Sequence, residues 1–247
     1  MSAEQLSINI LFPVQNERLR LQSGIDRTME YLRQNSNIPY QLTILDNGSE
    51  DETPKIGRAL EEKYPEVTYV WVGERGVGVA FRKGIELNEC TLVGYMDIDL
   101  STDIKYLGYT IELFNTRHEL QYVNGSRFSK DSTTKGRKWY RKITSKGLVI
   151  LLKTLLHMKS TDAVCGFTFL RKADAEQLVA VCGKENGWFY TIEFLLRAER
   201  TGMVIYDMPV EWQEDYNTTV KVWKTTKNYL VQIHRLRKIF RDEDKKK

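Results

Sequence analysis

The segment YMDIDLSTD, at residues 95–103, places carboxylates at Asp97, Asp99 and Asp103 after the apolar run TLVGYM. Strand side chains alternate with a period of two, so Asp97 and Asp99 point the same way if the strand persists. Two carboxylates that close repel each other unless a cation lies near them. The alternative is a solvated loop in which Ser101 or Asp103 caps a helix. The spacing therefore predicts either a divalent-cation site or a capping loop.

The elements that must position this pair alternate between strand and helix patterns. Helical patterns cover about residues 19–35, 51–63 and 78–89, and the strands are LSINILFPV, QLTILDN, VTYVWV and TLVGYMD. This alternation predicts an α/β fold, a mostly parallel sheet flanked by helices. The polar motifs PVQNE, DNGSEDET and DIDLSTD follow strands one, two and four, at the edge where such sheets bind ligands. Their position favours the functional interpretation of Asp97 and Asp99.

The second half of the chain is less regular. We predict strands at QYVNGSR, AVCGFTFL and MVIYDMPVEW, and helices at residues 138–158, KADAEQLVAVC and TIEFLLRAERTG, the last ending on Gly202. The tail is helical in pattern over residues 221–241. The simplest division is one α/β domain over residues 1–220, followed by a basic amphipathic helix and tail over residues 221–247.

Two loops have a structural and a functional interpretation. In DNGSEDET, Ser49 is expected to cap the following helix, whereas Asp46 ends an apolar strand and could accept a hydrogen bond from a nucleobase. In GERGVGVAFRKG, Gly76 and Gly78 predict a close approach of backbone to a ligand. The full dinucleotide fingerprint and the Walker lysine are both missing from that segment.

The net charge of +4 conceals two strongly basic segments. Residues 127–159 carry ten Lys or Arg against one acid, and residues 221–247 carry ten against three. Such segments indicate an anionic partner, which could be nucleic acid, a membrane surface or a phosphorylated substrate. No motif of interleaved aromatic and basic residues typical of RNA binding is found, so a nucleic-acid partner is not expected.

Three scattered cysteines indicate a reducing cytoplasm, and we expect neither a signal peptide nor a membrane-spanning helix. Residues 147–159 are apolar and flanked by cations. They could form a core helix or an interfacial one. The tail offers the same two possibilities, with Trp223, Leu230, Ile233 and Phe240 at roughly helical spacing. A cytoplasmic protein bound peripherally to anionic lipid on the inner face of a membrane fits both segments.

Eight motifs occur in order over residues 6–223: PVQNE, DNGSEDET, GVGVA, DIDLSTD, NGSR, DAVCGF, GWFYTIEFLLRAERTG and VEWQEDYNTTVKV. In this the chain resembles glycosyltransferase family 2, which has the Rossmann-like GT-A fold, and particularly its polyprenyl-phosphate (dolichyl-phosphate) hexosyltransferases. The resemblance implies inverting transfer of a hexose from a nucleotide sugar to polyprenyl phosphate at the cytoplasmic membrane face. The alternative is a transferase of the same fold with a saccharide acceptor, serving cell-surface polysaccharide synthesis.

The resemblance also implies roles at the donor end. Pro13, Val14, Glu17 and Asp46 match positions that hold the nucleotide base. Asp97 and Asp99 match the D-x-D pair, which handles the ribose and a divalent cation, Mg²⁺ or Mn²⁺, on the diphosphate. Asp99 is thereby both a metal ligand and a catalytic residue, and Ser101 falls where some relatives supply a third metal ligand.

At the acceptor end, Arg127, Arg141 and Ser145 match positions that grip the phosphate of a lipid acceptor. Arg141 and Ser145 are four residues apart, so they share one helix face. Glu193 matches the general base of the broader family. Its alternative is a helix acid neutralised by Arg197, and a phosphate acceptor needs no base.

Departures from the family pattern affect the expected donor and the expected mode of membrane attachment. DNGS replaces the usual DDGS, GVG replaces GKG, and Asp215 stands where mannosyl relatives often have arginine. These differences favour UDP-glucose over GDP-mannose. Many lipid-acceptor relatives carry C-terminal spanning helices, which we do not expect here. Surface attachment or a membrane-anchored partner protein would then hold the enzyme at the bilayer.

Overall fold

The computed structural model describes residues 5–214 and 222–246. The strands are β1 (Ile8–Val14), β2 (Tyr40–Asp46), β3 (Val67–Trp71), β4 (Leu92–Met96), β5 (Tyr122–Ser126), β6 (Thr133–Lys135), β7 (Phe167–Arg171), β8 (Ile205–Pro209) and β9 (Glu211–Gln213). The helices are α1 (Leu21–Asn35), α2 (Thr53–Lys63), α3 (Val77–Glu86), α4 (Lys105–Thr116), α5 (Trp139–Leu156), α6 (Lys172–Val181), α7 (Phe189–Thr201) and α8 (Val222–Asp244).

The main sheet has seven strands in the order β3-β2-β1-β4-β7-β5-β8. Only β7 runs against the others, antiparallel to both β4 and β5. The mostly parallel sheet predicted from the alternation of elements is therefore confirmed. Strand order reverses between β1, which is followed by β2, and β4 on its other side. That reversal opens a crevice at the carboxyl ends of β1 and β4, where sheets of this kind bind ligands.

Helices cover both faces of the sheet, which explains why its strands are apolar almost throughout. Along β1, Ile8, Ile10 and Phe12 face one core with α1, α2 and α4. Leu11 faces the other core, which α3, α6 and α7 build together with the inner sides of α5 and α8. The buried Asn9 on β1 accepts a hydrogen bond from Thr43 at 2.9 Å, so this polar group inside the sheet is paired.

Several observed elements differ from the predicted ones, because tertiary contacts decide where they begin and end. The predicted strand MVIYDMPVEW divides at Val210, whose N–H donates to the Ser126 carbonyl at 3.1 Å. Its first part joins β5 in the main sheet, and its second part pairs in parallel with β6. Neither β6 nor α4 was predicted. Ser49 does not cap α2, because the cap position is Glu52 and the Ser49 hydroxyl is used elsewhere.

The C-terminal helix α8 packs on the domain instead of standing free. Ile233, Leu236 and Phe240 are buried in the same core as α7. For these residues the packed interpretation of the tail holds, while Leu230 remains 53% exposed. Asp215 and the side chain of Trp223 lie outside the described part of the chain.

Gly94, in the centre of β4, tests how closely the sheet is packed. A Cβ atom there would lie 2.1 Å from the Thr168 carbonyl oxygen, a backbone atom with little freedom to move. We expect Gly94→Ala to lower the free energy of unfolding by about 1–3 kcal/mol, as overpacking does. Chemical denaturation monitored by circular dichroism would measure the change.

The matched control is Gly147→Ala in α5, where nothing lies within 4 Å of the added Cβ. That variant should be neutral or more stable by up to about 1 kcal/mol, because alanine favours helix. Equal stability losses at the two positions would contradict the packing described for β4.

Candidate functional site

The loops that follow β1 and β2 are tied together by side chains of the DNGSEDET segment. The Asn16 N–H donates to the Ser49 hydroxyl at 2.8 Å, and the Glu17 N–H donates to the Thr53 hydroxyl at 2.8 Å. The Glu50 N–H in turn donates to the Asn16 side-chain oxygen. Asn16 adopts φ 56°, a left-handed conformation that asparagine tolerates better than most residues. These bonds fix Glu17 beside the end of β4.

The D-x-D loop after β4 turns sharply at Leu100. This residue has φ 52°, which is unfavourable for a branched apolar side chain, and its burial in the core compensates. The Asp99 carboxylate accepts a hydrogen bond from the Ser101 N–H at 2.9 Å. Strain of this kind is concentrated at binding and catalytic sites.

Asp97 is packed against Gly166, where a Cβ atom would lie 1.9 Å from a carboxylate oxygen of Asp97. Only glycine leaves room for the acid. Burial, the neighbouring Asp99 carboxylate and Glu17 raise the pKa of Asp97 to about 7, and Arg127 opposes them. A nearby cation would relieve that repulsion, and carboxylate oxygens are the ligands that Mg²⁺ and Mn²⁺ prefer.

One large cavity, with a volume of about 780 Å³, lies over these loops. Eight of the residues predicted from the sequence line it: Pro13, Glu17, Asp97, Asp99, Ser101, Arg127, Arg141 and Ser145. The fold thus brings the predicted donor, metal and acceptor residues from both halves of the chain to one space.

Val14, Asp46 and Glu193 are not among the described residues that line the cavity. Val14 is buried in the core beneath the loops. Asp46 is fully buried and already paired, since it accepts from the Ser49 N–H at 2.8 Å and from the Tyr69 hydroxyl at 2.9 Å. Its geometry supports the turn after β2, and its contact with a nucleobase stays a prediction.

The glycines of GERGVG approach the protein's own backbone. A Cβ at Gly76 would lie 1.9 Å from the Asn186 carbonyl oxygen, and the Gly78 N–H donates to that same oxygen at 2.8 Å. The backbone there approaches the loop before α7. Gly76 also lines the cavity, so its approach to a ligand stays a prediction. That loop contributes Gly187 and Trp188 to the cavity wall.

Three arginines lie at the second end of the cavity, and two of them are paired with acids. Arg127 binds Asp162 in a bidentate ion pair with distances of 2.7 and 3.0 Å, and both side chains are buried. Arg141 donates to Glu214 at 2.7 Å. Sequence reasoning missed these two acids, although each falls inside a motif that carries the family resemblance.

Arg137 is the third arginine, and it was missed entirely within the basic segment. It donates one hydrogen bond to the Ser145 hydroxyl at 2.7 Å. Its guanidinium lies 5.3 Å from the ring centre of Trp212 and 5.6 Å from that of Phe128. Burial and the neighbouring Arg127 charge lower the pKa of Arg137 to about 10, so the side chain is still a cation at neutral pH.

Part of the cavity wall is apolar. Leu148 and Leu151 of α5, Val164, and Leu230 and Ile233 of α8 line it. The same cavity is therefore lined by paired carboxylates, a cluster of guanidinium groups and apolar side chains, most of them from two helices.

Glu193 is placed where it neutralises charge. Its carboxylate is fully buried and pairs with Arg197 at 3.0 Å, which confirms the ion-pair alternative considered for it. It also pairs with Arg235 of α8 and accepts from the Gly183 N–H at 2.9 Å. Its oxygens are engaged by these three donors and it does not line the cavity, so the geometry does not favour a general base here.

The paired carboxylates at the strand-order reversal and the Rossmann-like sheet define a protein of the GT-A class. The family model for glycosyl transferase family 2 matches residues 9–179, and the chain belongs to that family. Among known proteins, the chain is 26% identical over 223 residues to the glycosyltransferase AglD of Haloferax volcanii, covering 89% of this chain and 35% of that protein.

A second relative is a dolichyl-phosphate beta-glucosyltransferase of Dictyostelium discoideum, 26% identical over 223 residues, with coverage of 85% of this chain and 68% of that protein. The chain therefore spans about a third of the first relative and about two-thirds of the second. Among solved structures, it is similar to glucosyl-3-phosphoglycerate synthase from Mycobacterium tuberculosis in complex with Mn²⁺, UDP-glucose and phosphoglyceric acid. The TM-score is 0.69 at 17% identity, covering 94% of this chain and 79% of that one, a likeness of fold.

The burial of Glu193 leads to a prediction that distinguishes a structural role of this residue from a catalytic one. Glu193→Gln keeps the shape but removes the charge that compensates Arg197, and breaking a buried pair costs about 3 kcal/mol or more. We expect a lower melting temperature in differential scanning calorimetry, with turnover per folded molecule reduced less than about fivefold. Loss of turnover without loss of stability would instead identify Glu193 as the base.

Proposed function

We propose that this protein is an inverting hexosyltransferase that moves a sugar from a nucleotide diphosphate to polyprenyl phosphate. The observation that carries the proposal is that one cavity is lined by a carboxylate pair, an arginine cluster and an apolar wall. The first suits a diphosphate-bound cation, the second a phosphate, and the third a hydrocarbon chain.

At the donor end, Pro13 and Glu17 would contact the nucleoside, and Asp97 and Asp99 would hold Mg²⁺ or Mn²⁺ against the diphosphate. Within the described residues, no group of three or more His, Cys, Asp or Glu is arranged to hold a metal ion. Two carboxylates with phosphate oxygens and water would complete the coordination, and Ser101 lines the same wall. The cation would stabilise negative charge on the departing nucleotide.

At the acceptor end, the arginine cluster would orient a phosphate oxygen towards the anomeric carbon. Such an oxygen is already anionic at neutral pH, so the chain needs no residue to remove a proton. The paired state of Glu193 is consistent with this requirement. Attack from the face opposite the leaving nucleotide inverts the anomeric configuration.

A second candidate is transfer to a small soluble phosphorylated acceptor. The Mycobacterium tuberculosis synthase, a protein of this fold, binds UDP-glucose together with phosphoglyceric acid, and an arginine cluster suits either acceptor. The apolar wall contributed by Leu148, Leu151 and Ile233 favours the lipid, because it would have no partner in a small polar acceptor.

Helix α5 offers a surface for the bilayer that holds such a lipid. Trp139, Ile143 and Ile150 are 74%, 60% and 62% exposed, and lysines at positions 138, 142 and 146 interleave with them. Apolar and basic side chains on one helix are typical of binding to anionic lipid. No helix in the described ranges is long and apolar enough to cross a bilayer.

We therefore place the protein peripherally on the cytoplasmic, inner face of a membrane. Residues 1–220 would form the transferase domain and residues 221–247 a basic helix that closes one wall of the cavity. A membrane-anchored partner protein would be an additional means of attachment. UDP-glucose is the favoured donor, because Asp215 stands where mannosyl relatives often have arginine.

A donor screen tests the proposed reaction. Purified protein with Mg²⁺ or Mn²⁺ and a short-chain polyprenyl phosphate should form a glycosylated lipid, detected by mass, with UDP-glucose preferred over GDP-mannose. Asp99→Ala should reduce the rate at least about a hundredfold, because it removes stabilisation of the leaving group. The fold should be kept, since Asp99 lies on a loop.

Phosphoglyceric acid serves as the competing acceptor in the same screen. Product on that acceptor alone would favour the soluble alternative and remove polyprenyl phosphate from the proposal. Near-full activity of Asp99→Ala would refute the metal assignment, whichever acceptor is used.

Liposome binding tests the α5 surface. The double variant Ile143→Ser/Ile150→Ser removes two exposed apolar side chains and should weaken binding to anionic vesicles at least about tenfold in a sedimentation assay. The matched control is Val181→Ser/Val204→Ser, which removes two exposed branched side chains on other elements. If both double variants weaken vesicle binding equally, or if neither does, α5 is not the membrane contact.

A further inference from the structure

The arginine cluster does not offer three equivalent cations. Two planar nitrogens of Arg127 are engaged by Asp162, and the side chain is only 7% exposed. The Arg127 N–H of the backbone also donates to Asp162, at 3.2 Å. The Arg127 guanidinium and Asp162 carboxylate therefore form a neutral, rigid unit within the cavity wall.

Arg141 is also compensated. It pairs with Glu214, whose side chain is 3% exposed, at 2.7 Å. This pair has some capacity left, because Arg141 Nε and one Glu214 oxygen have no hydrogen-bond partner among the described residues. Its net charge is nevertheless close to zero, so it contributes little to holding an anion by charge alone.

Arg137 differs from both. No carboxylate in the described part of the chain forms an ion pair with it, and its one hydrogen bond goes to the neutral Ser145 hydroxyl. Its Nε and Nη1 atoms are buried without a partner. Guanidinium donors that lack both water and a partner are unfavourable unless an anion joins them. Arg137 is half-buried, and within the described residues it is the arginine of the cluster without an ion pair.

The fold places this charge with some precision. Arg137 follows β6 after a turn at Gly136, where φ is 72°. Strand β6 pairs with β9, and β9 is joined to the D-x-D loop by a bridge between Thr102 and Trp212. The Gln213 N–H also donates to the Ser101 carbonyl at 2.8 Å. The guanidinium and the metal-binding loop are thus mounted on the same small sheet.

We propose that Arg137 is the principal cation that binds the acceptor's phosphate, and that Arg127 is a positioning residue that holds the wall behind it. The inference rests on the proposed function for the identity of the acceptor, but not for the existence of an anion site. The free Nε and Nη1 atoms would donate to phosphate oxygens while the third nitrogen keeps Ser145 in place.

This assignment has a consequence for acceptor choice. A neutral alcohol in the same position would leave Arg137 buried and unpaired, whereas a phosphate monoester would compensate it. The site would therefore discriminate against neutral acceptors mainly through Arg137. A sugar hydroxyl acceptor would be disfavoured on the same ground, which bears on the saccharide alternative.

A purely structural role is the competing explanation, since Arg137 stacks against Trp212 and Phe128. The two roles differ in their readouts. Stacking predicts a change in melting temperature with little change in phosphate affinity. Anion binding predicts a loss of phosphate affinity. It predicts no loss of stability, because removing a cation that has no ion-pair partner does not destabilise the fold.

Isothermal titration calorimetry on the full chain would use inorganic phosphate and citronellyl phosphate as probes, and UDP with Mn²⁺ for the donor end. Arg137→Gln should bind both phosphate probes about 10- to 100-fold more weakly, with UDP affinity changed less than threefold. Arg137→Lys keeps the charge without the planar guanidinium, and its phosphate affinity should lie between those of the wild type and Arg137→Gln. The matched control is Lys130→Gln, which removes one exposed cation from the same basic segment and should bind like the wild type.

Acceptor kinetics separate this inference from the proposed function. If the wild-type protein forms glycolipid, the Arg137→Gln variant should have an acceptor KM at least tenfold higher than that of the wild type. An unchanged KM would overturn the inference and leave the reaction standing. If no glycolipid forms but both probes require Arg137, the anion site stands and the proposed acceptor fails. Wild-type protein that binds neither probe, or equal losses in Arg137→Gln and Lys130→Gln, would overturn the inference.

Discussion

Repulsion between Asp97 and Asp99 is the interaction around which the site is organised. The two acids lie beside each other at the end of β4, and Asp97 is kept in place because Gly166 has no side chain. A left-handed turn at Leu100 is stabilised by burial of that side chain, which lets the loop return to α4. The rest of the cavity wall is attached to this loop through β9 and β6. A cation bound by Asp97 and Asp99 would therefore relieve repulsion in the loop to which β9 and β6 are attached.

Charge in the cavity is distributed unevenly. Its lining includes acids after β4, two arginines that are paired with acids, one arginine without an ion pair among the described residues, and apolar side chains from α5 and α8. This set of groups would suit the donor diphosphate with its cation, the acceptor phosphate and the hydrocarbon chain of the proposed reaction. One helix, α5, supplies both Arg141 and Ser145 and apolar lining residues, because successive faces of it point to the cavity, the core and the exterior.

The C-terminal helix contributes to the site although it lies last in the chain. Glu193 on α7 neutralises Arg197 and Arg235, and the second of these belongs to α8. Further pairs join Arg197 and Arg200 to Glu243. Because Leu230 and Ile233 of this helix line the cavity, its attachment to α7 sets the shape of the acceptor end. A fully paired Glu193 thus helps to hold α8 against α7.

Much of this protein follows from local sequence pattern. The alternation of apolar strands with helices determined the mostly parallel sheet. The polar motifs at three strand ends marked the edge where the cavity lies, because parallel strands bring their carboxyl ends to one edge. The family resemblance pointed to Arg141 and Ser145, their spacing put them on one helix face, and both line the cavity. The antiparallel direction of β7, the strand β6 and its pairing with β9 were not predicted, since strand pairing depends on contacts between distant segments.

The tertiary structure alone decided which charges are free. Arg127 and Asp162 are 35 residues apart, and Arg141 and Glu214 are 73 residues apart. Arg137 resembles its basic neighbours in the sequence, but it is the arginine of the cavity that is left without an acid among the described residues. In the same way, the sequence offered Asp46 as a free acid and Glu193 as either a base or a partner of Arg197. The fold pairs Asp46 with Tyr69 and adds Arg235 to the Glu193–Arg197 pair. A sequence shows which ionisable groups exist, whereas their compensation depends on neighbours that only folding brings within hydrogen-bond distance.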